Sequence, residues 1–293
     1  AGDVVNNDHH LTHAASAYFT RKTNTACLIF CIDGAGDKTC TSIWKGEGSK
    51  ITLLKRYYNE ASIGWAYSAV TEAIHWIHGD GEGKTMGLAP YGNPENCRGV
   101  LDKFFPVFSG TELVKHSEVG FAGYWSESGS IQFHLEEARE IEKLVKKYGR
   151  EDIAAEAQRK LEECVQEMVS GWIEKTHVHN TAFAGGVMLN VKLNQRIWNN
   201  RGNNITEQHV YPNPGDSGLA AGAALLEYYK HTDFKGKSLD HLYLGPEFSN
   251  EEIESLLKVR KLKYTKLENP SIYAAELLAK DEIVAWFQGR MES

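Results

Sequence analysis

The chain has 293 residues, of which 42% are hydrophobic, 24% are charged and 11% are aromatic, and its formal net charge is −7 at pH 7. A single hydrophobic core stops growing at roughly 250–300 residues, so this length predicts two lobes around a cleft rather than one small domain. The negative charge and the scattered Lys and Arg residues argue against a nucleic-acid partner, and no apolar run approaches the roughly 18 residues that a membrane helix needs.

The cysteines indicate a reducing compartment. Their number, five, is odd, and they lie far apart without CxxC spacing. This pattern is typical of reduced thiols rather than of a disulfide framework or a zinc site. The first residues also lack the basic and apolar regions of a signal peptide. We therefore predict a cytoplasmic protein in which Cys27 and Cys31 belong to the core.

Hydrophobic periodicity predicts alternating helices and strands from the N-terminus. A capped helix over HHLTHAASAYF precedes the apolar strand TACLIFCID and two strands joined through GEG. A helix over SIGWAYSAVTEAIHWIHG and a long amphipathic helix from Glu151 follow, with an irregular, unassigned stretch at about 105–150. The strand NTAFA, the turn GGVMLN, the helix VKLNQRIWNN, the strand EQHVYP, the loop NPGDSG and the helix LAAGAALLEYY then complete an α/β pattern.

The C-terminal segment predicts a helix that is capped at Ser249, a strand, a second helix over NPSIYAAELLA and a final strand, EIVAWF. The last strand runs into a glycine turn at the end of the chain. Neither end resembles a natural terminus, so we expect that sequence is missing on both sides.

Four residues in separate segments are candidate metal ligands. His9 and His13 are spaced i,i+4 on one helical face, so both imidazoles can reach one cation, while His10 points elsewhere. Asp33 ends the apolar strand in IDGAGD, and Asp216 stands in PNPGDSG just before a helix. The sequence leaves open a surface or core role for the histidines, a plain hairpin turn at Asp33 and a helix cap at Asp216. A shared site requires all four to converge.

Glycine turns are candidate nucleotide contacts. Gly34 and Gly36 follow the first apolar strand, where backbone amides can approach a phosphate closely. Gly185 and Gly186 lie between a strand and a helix, and Asn190 is available there to hydrogen-bond a ligand. A turn without a ligand is the alternative at both places.

Two more residues, Lys84 and His10, are weaker candidates for a catalytic role. Lys84, in GKTMGLAPYG, would bind an anion, and a solvated surface lysine is the alternative. His10 is adjacent to the paired histidines, which is an observation of proximity alone.

The motifs resemble, in order, the landmarks of NodU/CmcH-type O-carbamoyltransferases: HHLTHAASAY, IDGAGD, SIGWAYSAVT, GKTMGLAPYG, FAGGVMLNVKLN, YPNPGDSGLAAGAAL, LGPEFS and WFQGRME. This resemblance covers nearly the whole chain. It implies an α/β, actin-like ATPase fold (ASKHA, ribonuclease H-like) with two lobes, similar to the tRNA threonylcarbamoyl-transferring protein and incomplete at both ends. The implied divisions are 1–120 for the remainder of the first lobe, 121–240 for the second lobe with the nucleotide loops, and 241–293 for a segment leading to a YrdC-like domain.

The resemblance also implies a reaction. In such enzymes carbamoyl phosphate is processed in the YrdC-like part, and carbamate reacts with ATP in the actin-like part to give carbamoyladenylate. The carbamoyl group then passes to a hydroxyl of a sugar, an antibiotic or another metabolite. Without the YrdC-like part, this chain is expected to bind nucleotide and metal but not to complete the reaction from carbamoyl phosphate.

Matching the motifs residue by residue gives one set of metal ligands and one set of residues that line the nucleotide site. The divalent cation, for which iron is favoured, would be held by His9, His13, Asp33 and Asp216. The ATP site would be lined by Gly34, Gly36, Gly185, Gly186 and Asn190.

Other functions of the same fold stay open. A sugar kinase-like phosphotransferase would not need the HxxxH pair, and an actin-like chaperone or binding module would bind nucleotide without catalysis. The tRNA threonylcarbamoyl enzyme is disfavoured because HHLTH lacks the acid and the glycine of its HxEGH helix. The acceptor molecule and the oligomeric state, a homodimer included, are not determined by the sequence.

Overall fold

A computed structural model of the protein describes residues 4–119, 136–237, 239 and 241–292. The chain divides into two compact units, Ala1–Ser238 and Leu239–Ser293. In the larger unit the described helices are α1 His9–Tyr18, α2 Ile63–Ala73, α3 Glu82–Leu88, α4 Glu136–Tyr148, α5 Arg150–Thr176, α6 Val191–Asn199 and α7 Leu219–Tyr229. Its strands are β1 Cys27–Gly36, β2 Thr39–Glu47, β3 Lys50–Tyr58, β4 Val107–Ser109, β5 Glu112–Lys115, β6 Asn180–Ala184 and β7 Glu207–Val210.

Strand β1 is the centre of a five-stranded sheet with the order β3-β2-β1-β6-β7. It pairs antiparallel with β2 and parallel with β6. Alternate residues of β1 enter two different cores, because the side chains of a strand point to opposite faces. One core contains Leu28, Phe30 and Ile32, and the other contains Cys27, Ile29 and Cys31. Burial on both faces explains why this strand is a continuous apolar run.

Helices cover both faces of the sheet and flank the carboxyl end of its central strand. Helices α2 and α5 pack on the first core, and α1 lies on the second. The carboxyl end of β1, where Asp33 stands, therefore lies close to α1 on one face and to α2 on the other. This end of the strand is where the candidate ligands of the sequence analysis meet.

Most of the predicted elements are confirmed. The helix over the HxxxH motif, the first three strands and the long helix beginning near Glu151 are all present, and Cys27 and Cys31 are fully buried. The unassigned stretch contains the β4–β5 hairpin and α4, while residues 120–135 lie outside the described part of the chain. None of the helices in the described residues combines the length and apolarity that a bilayer crossing requires.

The central sheet of the larger unit draws strands from both sides of residue 120. β1, from the first predicted lobe, pairs directly with β6, from the second, so the two ranges share one sheet.

The smaller unit contains α8 Asn250–Val259 and α9 Pro270–Leu278. Ser249 caps α8 as predicted: its Oγ accepts from the Glu252 backbone N–H at 3.2 Å, and Glu252 Oε2 accepts from the Ser249 N–H at 2.8 Å. The two predicted strands are absent from the described residues of this unit. A strand pattern forms a strand only where a neighbouring strand takes up its backbone hydrogen bonds.

Acid is expected to destabilise the larger unit through His209 in β7. Its Nε2–H donates to Thr20 Oγ1 at 2.8 Å, and the Thr20 hydroxyl donates to the Ser16 carbonyl at 2.7 Å. Burial lowers the pKa of His209 from 6.5 to about 4. The unfolded chain therefore binds a proton that the folded chain excludes, and the free energy of unfolding falls as the pH falls from about 6.5 towards 4.

Urea unfolding at about pH 7 and about pH 5 measures this effect, for which we expect a contribution of about 1–2 kcal/mol from His209. His209→Gln keeps a hydrogen-bond donor but cannot be protonated, so its stability should depend less on pH than that of the unmodified chain. Equal pH dependence in the two proteins would contradict the assignment.

Candidate metal centre and adjoining cavity

Helix α1 presents two histidines from successive turns. Asp8 caps its N-terminus, because Asp8 Oδ1 accepts from the Leu11 N–H at 2.8 Å while Oδ2 accepts from the Arg56 guanidinium at 2.8 Å. The cap thus ties the start of the helix to β3. With this anchor, His9 and His13 both turn their Nε2 atoms towards the end of β1, and the side chain of His13 is fully buried.

Two carboxylates complete the cluster. Asp33 Oδ2 lies 3.4 Å from His9 Nε2 and 3.2 Å from His13 Nε2. Asp216 Oδ1, from the turn before α7, lies 3.5 Å from His9 Nε2 and 3.3 Å from His13 Nε2. The four ligand atoms are all within 4.8 Å of one another. The structure therefore brings together all four residues that the sequence analysis selected as metal ligands.

The spacing of these atoms fits a single ion. Ligands placed about 2.1 Å from a tetrahedral ion are about 3.4 Å apart, close to the four histidine–carboxylate separations. Two imidazole nitrogens and two carboxylate oxygens form a donor set that suits first-row divalent metals such as iron, zinc or manganese. Two ionised carboxylates also balance the charge of a divalent cation.

Charge coupling within the cluster shifts the pKa values of His13 and Asp33. Burial alone lowers the pKa of His13, but hydrogen bonds to Asp216 and Asp33 outweigh burial and raise it. Burial alone raises the pKa of Asp33, but hydrogen bonds from His13 and His9 hold it well below its usual range. A metal ion entering the cluster would take over the role of the His13 proton, so binding would release that proton.

Two glycines, Gly36 and Gly186, lack a Cβ atom and so leave room for the side chains of His9 and Asp33. A Cβ atom at Gly36 would lie 2.2 Å from His9 Cδ2 and 2.4 Å from His9 Nε2. A Cβ atom at Gly186 would lie 3.1 Å from Asp33 Oδ1. The ring of His9 therefore occupies the space where position 36 would carry a side chain, and the GG turn packs closely against the carboxylate of Asp33.

A cavity of about 550 Å³ adjoins the cluster, and Asp33 and Asp216 line it. Its other walls come from α2, from α5 at Leu161, from the segment leading into α3, from the turn that begins with Gly185 and Gly186, and from the turn before α7. Side chains on the α2 and α3 walls are Trp65, Tyr67, Ser68, His78, Asp80, Glu82 and Met86. The described residues that line the cavity include Asp and Glu side chains but no Lys or Arg.

The predicted nucleotide residues fall into two groups in the structure. Gly34, Gly186 and Asn190 line the cavity, whereas Gly36 and Gly185 are not among its lining residues. Gly36 instead faces His9. Gly185 has a φ of +97° and packs on the backbone of β1, where a Cβ atom would lie 2.2 Å from the carbonyl oxygen of Ile32.

Neither weak catalytic candidate enters the cavity. Lys84 is exposed on α3 and is not among the lining residues in the described chain. His10 is buried against β2: its Nε2–H donates to the Thr39 carbonyl, and its Nδ1 accepts from Ser42 Oγ, both at 2.9 Å. Burial lowers the pKa of His10 to about 4, so the ring is neutral at neutral pH.

Sequence reasoning missed the wall of the cavity formed by α2 and α5. Tyr67 donates a hydrogen bond of 3.0 Å to Gln158 Oε1 inside the protein. Gln158 shares the buried face of α5 with Ala154 and Leu161. An amide at a helical position that is otherwise apolar is a signal that could have been read from the sequence.

Comparisons with known proteins identify the family of the chain. A family model described as the carbamoyltransferase N-terminus matches residues 1–225. Protein MJ1058 of Methanocaldococcus jannaschii is 33% identical over 313 residues, an alignment that covers 99% of this chain and 49% of that protein. Nodulation protein NolNO of Sinorhizobium fredii is 28% identical over 289 residues, covering 97% of this chain and 40% of that protein.

The chain thus spans about half the length of the curated relatives it matches. Among solved structures, HypF of T. kodakarensis aligns with 78% of this chain and 37% of its own, at 14% sequence identity and a TM-score of 0.41.

Proposed function

Because the chain belongs to the carbamoyltransferase family through the match to its N-terminal region, we propose that the full-length protein is an ATP- and metal-dependent O-carbamoyltransferase. In this reaction the oxygen of carbamate, derived from carbamoyl phosphate, bonds to the α-phosphorus of ATP, and pyrophosphate leaves. The product is carbamoyladenylate. The hydroxyl oxygen of a small-molecule acceptor then bonds to the carbamoyl carbon, loses its proton and displaces AMP.

The convergence of His9, His13, Asp33 and Asp216 is the observation that carries this proposal. These residues would hold the divalent cation, for which the resemblance favours iron. The cation would supply positive charge that orients and neutralises phosphate oxygens. A sugar kinase or a non-catalytic module of the same fold has no need of the histidine pair, so the cluster favours carbamoyl transfer.

The adjoining cavity supports ATP as the second ligand. Its volume of about 550 Å³ lies in the range that encloses a cofactor-sized molecule. Since its charged lining is acidic, the phosphates would depend on the cation and on backbone amides of the turns at Gly34 and Gly186. Asn190 stands beside the same turn and would contact the nucleoside part.

The sheet supports an actin-like assignment for the larger unit. An antiparallel meander, β3-β2-β1, continued by the parallel strands β6 and β7, is the arrangement expected of a ribonuclease H-like lobe. The five cysteines are all free and buried, which is in keeping with the proposed cytoplasmic location.

Mass spectrometry of the full-length protein tests the proposed reaction. We expect carbamoyladenylate and pyrophosphate after incubation with ATP, carbamoyl phosphate and Fe²⁺. Neither product should form without carbamoyl phosphate or after the metal is chelated. A phosphorylated sugar formed together with ADP would contradict the proposal and favour a kinase, and bound but unreacted ATP would favour a binding module.

A further inference from the structure

The side-chain amide of Gln158 is fully used in hydrogen bonds that join three walls of the cavity. Its Oε1 accepts from Tyr67 Oη–H at 3.0 Å and from Asn190 Nδ2–H at 2.9 Å. Its Nε2 donates to Asn190 Oδ1 at 3.1 Å and to Glu162 Oε1 at 2.9 Å. A glutamine amide offers two donors and two acceptor sites, so these bonds exhaust it.

These bonds fix the orientation of the Asn190 amide. Asn190 caps α6, and its Oδ1 accepts from the Leu193 backbone N–H at 2.9 Å. A backbone N–H can only donate, so the oxygen rather than the nitrogen must lie at this position. The bond from Gln158 occupies the second lone pair of the same oxygen. Asn190 therefore has no acceptor left for a ligand, and its Nδ2 group carries the remaining hydrogen-bonding capacity.

We infer that Gln158 is a positioning residue for nucleotide binding, which acts by fixing the Asn190 amide with its Nδ2 group available to the cavity. Asn190 lines the cavity, while Gln158 does not. The ligand atom that meets Asn190 is then a hydrogen-bond acceptor, such as a ring nitrogen, a carbonyl oxygen or a hydroxyl oxygen. This inference rests on the proposed function, since it takes the ligand of the cavity to be a nucleotide.

Burial makes the arrangement rigid. Gln158, Asn190 and Tyr67 are 7%, 8% and 4% exposed, so a lost bond cannot readily be replaced by water. Burial also raises the pKa of Tyr67, which keeps its hydroxyl protonated as a donor to Gln158. Removing Gln158 would take away two of the hydrogen bonds that hold the Asn190 amide, one at Oδ1 and one at Nδ2.

ADP binding by the 293-residue chain, measured by calorimetry, tests the inference. Gln158→Met keeps the side-chain volume but forms none of the four bonds, and we expect it to weaken ADP binding by about 10-fold or more. Gln166→Met is the matched control, because it makes the same change on the same helix at a residue that does not line the cavity, and we expect ADP binding to stay unchanged.

A double-mutant cycle separates positioning from general structural damage. If Gln158 acts through Asn190, the Gln158→Met/Asn190→Ala protein should bind ADP no more weakly than Asn190→Ala alone. Additive losses, or unchanged binding by Gln158→Met, would overturn the inference.

NMR of the unliganded chain provides a readout that does not depend on nucleotide. We expect the Nδ2 protons of Asn190 to exchange slowly with water in the unmodified chain, and to exchange faster, with chemical shifts moved towards those of a free side-chain amide, in Gln158→Met. Unchanged signals in the variant would overturn the positioning role. If the unmodified chain binds no ADP, the proposed function fails instead, and the Asn190 signals still decide whether Gln158 fixes the amide.

Discussion

A methyl group at position 36 is expected to weaken metal binding by at least about 100-fold, because it removes one ligand from the cluster. The Cβ atom of Gly36→Ala would lie 2.2 Å from His9 Cδ2 and 2.4 Å from His9 Nε2, so the imidazole must leave its place. Changes to residues that merely support metal ligands already weaken binding by about 10–100-fold. The backbone at Gly36 is not in the left-handed region, so alanine brings no conformational strain of its own.

Metal content and anaerobic titration with Fe²⁺ measure this effect. Gly34→Ala is the matched control on the same strand, because its Cβ atom would lie 3.5 Å from the Trp65 ring, an ordinary contact, and its metal binding should not change. His13→Ala, which deletes a ligand outright, sets the expected size of the loss. Fe²⁺ affinity in Gly36→Ala equal to that of the unmodified chain would contradict the role assigned to His9.

Gly185→Ala is expected to lower the free energy of unfolding by about 3–5 kcal/mol. Two effects add at this position. Its φ of +97° is unfavourable for any residue with a Cβ atom, and the Cβ atom would lie 2.2 Å from the Ile32 carbonyl oxygen. The backbone of β1 cannot yield easily, because it is hydrogen-bonded to β2 on one side and to β6 on the other.

Gly48→Ala separates these two effects. Gly48 has a φ of +59°, but a Cβ atom there would meet nothing within 4 Å, so only the conformational cost of about 1 kcal/mol is expected. Urea unfolding followed by fluorescence gives both free energies. Similar losses in the two variants would show that the clash with β1 contributes little.

Elements set by local pattern were predictable from the sequence. The buried strand β1 is a continuous apolar run, and the i,i+4 spacing of His9 and His13 places both rings on one face of a helix in any fold. Bringing Asp33 and Asp216 to the same helix depends on the path of the whole chain. Spacing could not supply that step, and it came from the resemblance to a family.

Features that depend on tertiary contact were not accessible in the same way. A glycine after an apolar strand looks the same whether it approaches a phosphate or, as Gly36 does, makes room for a histidine ring. The amide of Gln158 could be noticed on a buried helical face, but its partners could not be named without the fold. The segment EIVAWF was predicted to be a strand and is not one in the structure, because a strand requires a neighbouring strand as well as a sequence pattern.

The four candidate ligands differ in exposure, which would set the direction from which an ion reaches them. The side chain of Asp216 is 69% exposed and that of His13 is 0% exposed, and Asp216 also lines the cavity. On the proposed function, an ion therefore enters past Asp216, through the space that the nucleotide later fills. A bound nucleotide would then cover the ion. The metal would therefore bind before the nucleotide, and the nucleotide would dissociate before the metal.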